Sequence, residues 1–288
     1  MMNGIINIYK EKGFTSFDVV AKLRGILKTR KIGHTGTLDP DAEGVLPVCV
    51  GKATKICELL TDKTKEYEAV MLLGRTTDTQ DVTGETLTQQ EVRCSAKEVE
   101  KAVLSFAGDY MQVPPMYSAI KINGQKLYDL ARQGREVERK PRSVTFYELE
   151  LLEQVSETDF LLRCLCSKGT YIRTLCHDIG QALGCGGCMS SLRRTMAAGF
   201  TLAECRTIEE VQQQGESLLA ATDSLFRQYP AYRILSEQTD RRCRCGNPLT
   251  AEGLQPGLYR VYGTDGTFLC LSRWENGVLT SEKNFFGA

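Results

Sequence analysis

Residues 33–47 read Gly-His-Thr-Gly-Thr-Leu-Asp-Pro-Asp-Ala-Glu-Gly-Val-Leu-Pro, with a glycine or proline every few positions. That spacing predicts an irregular loop of fixed shape. Within it, Pro40 biases Asp39 to an extended backbone and so presents the Asp39 carboxylate outward. Loops with this much built-in geometry often carry function. The plainer reading is a turn-forming Asp-Pro. A phosphate-binding loop of the nucleotide-triphosphate type is excluded, because Gly51-Lys52 would need glycine at 46 and Ser or Thr at 53, where the chain has Leu46 and Ala53.

The loop belongs to a chain of 288 residues with 36 Lys+Arg, 36 Asp+Glu, 42% hydrophobic and 25% charged residues. These proportions predict one large globular domain, alone or with a small appendage, and exclude disorder, collagen and coiled coil. The N-terminal Met-Met-Asn-Gly-Ile-Ile-Asn-Ile-Tyr-Lys lacks the early basic residues and long apolar run of an export signal. No later run reaches membrane-spanning length, so a cytoplasmic protein is expected, with its twelve cysteines as free thiols. Cys185-Gly-Gly-Cys188 has zinc-knuckle spacing, but Cys243-Arg-Cys245 does not. His34 and His177 stand far from either pair, so no metal site is expected.

A balanced total conceals an uneven distribution. Residues 19–38 hold Lys22, Arg24, Lys28, Arg30 and Lys31 with no acid, and residues 121–142 carry seven bases against three acids. Residues 163–195 add Arg163, Lys168, Arg173, Arg193 and Arg194 against Asp178. Each segment alone reads as a solvated face. Three together predict a positive surface for a polyanion.

Helices are expected from Ser16, as cap, to about Leu27, after the capping boxes Ser95–Glu98 and Thr207–Glu210, and from Thr170 to Leu183 with Gly184 as terminator. Residues 67–73, 144–152 and 160–166 read as strands, and the turns between strands favour antiparallel pairing. Beyond Gln228 the texture changes to short strands at 257–262, 268–274 and 277–280, which predicts domains 1–227 and 228–288.

The segment Gly33–Lys55 resembles the catalytic motif of the TruB-type tRNA pseudouridine synthases. So do Tyr9-Lys10-Glu-Lys-Gly13-Phe-Thr15-Ser16, Lys65-Glu-Tyr67, Leu73 to Asp81, Val113 to Lys121, Leu127 to Arg132, Ser167 to Leu175 and Leu192-Arg193-Arg194. Ordered motifs therefore run from residue 5 to about 200, and the tail from about 228 resembles the small PUA-like RNA-binding domain of the family. Glu11 departs from the pattern, since the family usually has proline there.

The resemblance implies an α+β fold with a mixed, mainly antiparallel central sheet and flanking helices. It implies isomerisation of uridine 55 in the T-loop of tRNA, with no cofactor, no metal and no obligatory protein partner, by a monomer. Asp39 is implied as nucleophile, Arg173 as its partner and Tyr67 as the residue stacked on the target base, with a role in proton transfer. Leu192 packs on the other side of the base in this scheme, and His34 fills the space left by the extruded nucleotide. Lys10, Tyr171 and Lys121 fall in matching motifs and are expected to support substrate binding. Two other classes share the fold: an idle RNA-folding protein, against which the intact Asp39, Tyr67 and Arg173 set argues, and a guide-RNA-dependent relative.

Overall fold

The computed structural model describes residues 2–61 and 63–286. The first half runs β1 (Gly4–Lys10), α1 (Ser16–Ile26), β2 (Ile32–His34), β3 (Glu43–Val50), α2 (Cys57–Thr61) and β4 (Lys65–Leu73). A hairpin, β5 (Arg75–Thr77) and β6 (Thr86–Gln89), leads to α3 (Ala96–Leu104) and β7 (Gly108–Gln112). A small hairpin, β8 (Lys121–Ile122) and β9 (Gln125–Lys126), precedes α4 (Leu127–Arg132), β10 (Arg142–Gln154) and β11 (Asp159–Cys166). Then come α5 (Ile172–Ala182), β12 (Gly187–Ala197), β13 (Phe200–Thr201) and α6 (Ile208–Gln214).

These elements build a nine-stranded sheet in the order β1-β3-β12-β4-β11-β10-β7, with β2 on β3 and β13 on β12. Pairing is antiparallel except between β3 and β12, which run parallel through Glu43–Gly44 and Arg193–Arg194. Only glycine fits there: a Cβ on Gly44 would lie 2.2 Å from the Arg194 carbonyl oxygen. In β4 every second residue from Lys65 to Leu73 is buried, and β11 repeats the alternation from Phe160 to Cys166. Register pairs Tyr67 with Cys164 and with Arg194, so one face of β4, β11 and β12 is continuous. Val99 and Val103 of α3 and Leu175 and Ile179 of α5 close over that face. The other main cluster lies across β1 and β3, where Val19, Val20 and Leu23 of α1 cover Ile6, Ile8, Leu46 and Val48.

Two local expectations are corrected. The helix cap is Thr15, whose hydroxyl accepts from the Asp18 N–H while the Asp18 carboxylate accepts from the Thr15 N–H. Ser16 is left free for another contact. The stretch 33–47, expected to be irregular throughout, contains most of β2 and of β3, and only residues 35–42 of it lie outside strands. The capping boxes at Ser95 and Thr207 are present, and α5 ends before Gly184, whose φ of +76° requires a left-handed turn.

The tail forms β14 (Ala231–Arg233), α7 (Glu237–Arg244), β15 (Leu249–Thr250), β16 (Gly257–Tyr262), β17 (Phe268–Glu275) and β18 (Val278–Asn284). Its strands make a separate sheet, β14-β16-β17-β18-β15, with its own core around Ile234, Cys243, Val261, Leu269 and Leu279. The helix α7 was not anticipated from sequence. A shared cluster joins the two sheets: Ile5, Cys49, Ile56 and Leu60 meet Phe226, Leu271 and Phe285. No helix among the described residues is long and apolar enough to cross a membrane.

Candidate active site

The loop between β2 and β3 carries Asp39 to the N-terminal end of α5. Leu38, one residue earlier, is buried in the same cluster as Tyr67, Leu192 and Ile172, which fixes where the loop crosses the sheet. Arg173, the second residue of α5, is 8% exposed, and its Nε lies 3.1 Å from Oδ2 of Asp39. Its other nitrogens donate to the carbonyls of Thr79 (3.2 Å) and Tyr117 (3.0 Å). A second carboxylate, Asp81, lies 3.4 Å from Nη1. Asp81 is held in turn by the Thr79 hydroxyl, the Thr83 N–H and the Thr83 hydroxyl, all donating to its Oδ1. One guanidinium thus joins three chain segments at a carboxylate that is itself 43% exposed.

The helix start that presents Arg173 has no side-chain cap of its own. Gln112 of β7 supplies the substitute, accepting from the Tyr171 N–H at 2.8 Å and donating to the Tyr171 carbonyl at 3.0 Å. Tyr171 is half-buried, and burial pushes its phenol above the ordinary value.

Tyr67 and Leu192 share the buried face of β4 and β12 with Leu38. Burial pushes the Tyr67 hydroxyl up to about 12, with Arg194 acting in the opposite direction, so the phenol is neutral at physiological pH. Arg194 is 1% exposed and donates to the carbonyls of Val45 (2.7 Å) and Gly36 (3.1 Å). It pins both ends of the loop. His34 is half-buried, and its Nδ1 accepts from the Gly36 N–H at 3.3 Å. Burial, then Arg194, depresses its pKa and keeps the imidazole neutral, an uncharged ring suited to stacking. Lys10 is fully buried, and its ammonium donates to the carbonyls of Phe14 (2.6 Å), Glu11 (3.0 Å) and Pro40 (3.0 Å). It therefore shapes the loop beside Asp39 from beneath.

Lys121 is exposed on β8 and takes no part in the Asp39–Arg173 network. It lines an open cleft of about 570 Å³ with Gln125, Lys126, Asp129 and Arg132. In the third basic segment Lys168 is exposed, but the other four bases are buried or engaged with acids. Arg173 and Arg194 are buried, Arg163 pairs with Glu150 at 3.0 Å and Arg193 with Glu68. In the first segment, by contrast, Lys22, Lys28, Arg30 and Lys31 are exposed. All twelve cysteines are free thiols, and among the described residues no three His, Cys, Asp or Glu side chains are grouped to hold a metal ion.

The sequence assigns no role to Asp81 or Gln112, and Arg194, which it groups with the surface bases, is instead buried beside the loop. Asp81 ends the run Thr76-Thr-Asp78-Thr79-Gln-Asp81, whose clustered Thr and Asp point to a carboxylate-centred turn.

Residues 24–172 match the family model described as TruB family pseudouridylate synthase (N terminal domain), and residues 173–227 match the tRNA pseudouridylate synthase B C-terminal domain. The second span begins at Arg173 and includes β12, a strand inside the nine-stranded sheet, so the two spans fold as one body. The tRNA pseudouridine synthase B of Alkaliphilus oremlandii is 57% identical over 266 residues, covering 92% of this chain and 88% of that protein. That of Clostridium novyi is 42% identical over 288 residues, with 98% and 99% covered. Among solved structures, a chain of a Cbf5-Nop10-Gar1 complex superposes with a TM-score of 0.73 at 27% identity, covering 98% of this chain and 85% of that one. A chain from an H/ACA RNP bound to a substrate RNA containing 2'-deoxyuridine gives 0.72 at 25% identity, with 99% and 85% covered.

Proposed function

The chain belongs to the TruB family of pseudouridylate synthases, and on that premise we propose that it converts uridine 55 in the T-loop of tRNA to pseudouridine, acting alone. The observation that carries the reading is the half-exposed Asp39 carboxylate paired with a buried Arg173, while Leu38 and Ile172, the residues just before each, pack in one cluster with Tyr67 and Leu192. The reaction breaks the bond from ribose C1′ to uracil N1 and forms one from C1′ to C5; C5 loses a proton and N1 gains one. It is redox-neutral. A carboxylate serves it by adding to C6 of the base or to C1′ of the sugar and leaving again.

Arg173 orients that carboxylate through a charge-assisted contact, while its Nη1 donates to the Thr79 carbonyl and reaches Asp81 and its Nη2 donates to the Tyr117 carbonyl, which hold the guanidinium in place. The target base is extruded and held between the Tyr67 ring and Leu192, with His34 taking up space left in the loop. The neutral Tyr67 phenol is a hydrogen-bond donor that stacks without adding charge. Exposed bases of residues 19–38 and 121–142 grip the phosphate backbone of the T-arm, and the tail from 228 adds RNA contacts as a PUA-like domain.

The test is single-turnover pseudouridine formation on an unmodified tRNA transcript and on a T-arm stem-loop, with no other protein or guide RNA present. Product at the T-loop uridine is expected with both. Binding without product, or product only after a guide ribonucleoprotein is added, would overturn the proposal.

A further inference from the structure

Asp39 owes its place to its backbone. The side chain is 43% exposed and pairs with Arg173, so burial does little to hold it. The residues on either side of it are tied down instead. After it, the Pro40 carbonyl accepts from the Gly13 N–H at 3.0 Å and from Lys10 Nζ at 3.0 Å. Before it, the Leu38 N–H donates to Ser16 Oγ at 2.8 Å, and Ser16 Oγ donates to the Leu38 carbonyl at 3.2 Å. One hydroxyl closes both backbone polar groups of the residue preceding the carboxylate.

Ser16 is free for this because Thr15 caps α1. It is 2% exposed, at the first turn of a helix whose apolar side is packed onto β1 and β3. Leu38 is 3% exposed, so a lost hydroxyl leaves its N–H and carbonyl without an easy substitute in water. The Leu38 side chain meanwhile lies in the cluster with Tyr67 and Leu192. The Ser16 contact therefore sets the angle at which the chain leaves the base-binding face and projects the carboxylate.

We propose that Ser16 is a positioning residue for Asp39, acting through the Leu38 backbone to hold the carboxylate at Arg173. The inference rests on the pseudouridine synthase reading above. A nucleophile displaced by a fraction of an ångström loses rate and not affinity, because the phosphate contacts that bind RNA lie on other segments.

The experiment compares the unsubstituted full chain with Ser16→Ala and Ser16→Cys in single-turnover rate at saturating enzyme, in Kd for a T-arm stem-loop and in melting temperature. Ser16→Ala is expected to slow the rate by about 10- to 100-fold with Kd within roughly twofold. Ser16→Cys puts a larger sulfur, a weaker donor and acceptor, at the same position, so it is expected to be at least about fivefold slower than serine. It also keeps the question decidable if the alanine variant fails to fold. A Ser16→Ala rate within about twofold of the unsubstituted protein, a loss confined to Kd, or a Ser16→Cys rate equal to serine would each overturn the positioning role, the last by showing that the hydroxyl is not required. An unsubstituted protein that makes no pseudouridine overturns the reading of function and this role with it. Activity in that protein beside an equally fast Ser16→Ala overturns the role alone.

Discussion

Arg173 Nε lies 3.1 Å from Asp39 Oδ2, and the same guanidinium reaches Asp81 Oδ2 at 3.4 Å, so one buried cation is shared between an exposed carboxylate and a sheltered one. The sharing has an asymmetric consequence. Asp39→Asn keeps size and hydrogen-bonding capacity but removes the negative charge of the proposed nucleophile, so turnover should fall by roughly 10³-fold or more while Kd for the RNA changes little. Near-normal pseudouridine formation by this variant, measured in single turnover, would remove Asp39 from the mechanism.

Asp81→Asn should behave differently. It leaves Asp39 intact and weakens one of the anchors that aim Arg173, so a loss of about 10- to 100-fold in rate with unchanged Kd is expected. Arg173→Ala should be worse than Asp81→Asn, since it removes the whole junction and leaves the Thr79 and Tyr117 carbonyls without their donor. An Asp81→Asn variant slower than Arg173→Ala would show that Asp81 acts other than by aiming Arg173.

How much of this was legible beforehand divides by type of signal. Motif order pointed to Asp39, Tyr67, Arg173 and Leu192, and the structure brings Asp39 and Arg173 into contact and buries Tyr67 and Leu192 in one cluster. Residue type misled at Arg194, which by composition belongs with the exposed bases. Strand alternation decides the matter: Leu192 and Arg194 face the core while Arg193 faces outward, but Gly187–Ala197 has too few β-branched residues to be read as a strand. At the start of α1, serine's higher capping preference favours Ser16, and only the Asp18 partner three residues on from Thr15 moves the cap one residue back. The parallel contact of β3 with β12 is a product of long-range topology that local patterns do not encode.

Lys10 gives the pH profile an alkaline limb. Burial pulls its ammonium from the ordinary 10.5 down to about 8. Between those values the unfolded chain binds the extra proton, so this group's contribution to folding improves as pH rises through the window and is least favourable below about 8. Function runs the other way: a neutral amine has two N–H donors for the three carbonyls of Glu11, Phe14 and Pro40, and the loop at Asp39 loosens. The single-turnover rate should therefore decline above about pH 8 with no matching fall in melting temperature from Lys10. Tyr67, at about 12, adds no limb in that range. A rate that stays level to about pH 9.5 would remove Lys10 from the support of the loop.

Salt dependence should distinguish exposed bases from spent ones. Arg30 and Lys31 are exposed, and each phosphate contact contributes roughly −0.7 to −0.9 to the log-log slope of affinity against salt. Replacing both with Ala should weaken tRNA binding and flatten the slope by up to about 1.8. Arg163→Ala should leave the slope unchanged, because Arg163 is engaged with Glu150 at 3.0 Å. Equal effects from the two variants would mean that the paired arginine changes partner on binding.

Removal of residues 228–288 should separate affinity from chemistry at a cost in stability. The site residues from Lys10 to Arg194 all precede the tail, so the shortened chain should retain a measurable single-turnover rate at saturating enzyme. Its Kd for tRNA should rise. The tail is also part of the packing, since Leu271 and Phe285 cover Ile5, Ile56, Leu60 and Phe226, and Lys55 Nζ donates to Asn284 Oδ1 at 2.6 Å. Deleting it uncovers that cluster, so the melting temperature should drop and the shortened protein should associate more readily. Phe285→Ala in the full chain isolates the packing contribution, with an expected loss of about 3 kcal/mol or more and little change in rate below the melting point. If the shortened chain is folded and saturated with RNA yet makes no product, the tail belongs to the catalytic unit. If Phe285→Ala costs as much affinity as the whole deletion, the tail acts by bracing the sheet and not by touching RNA.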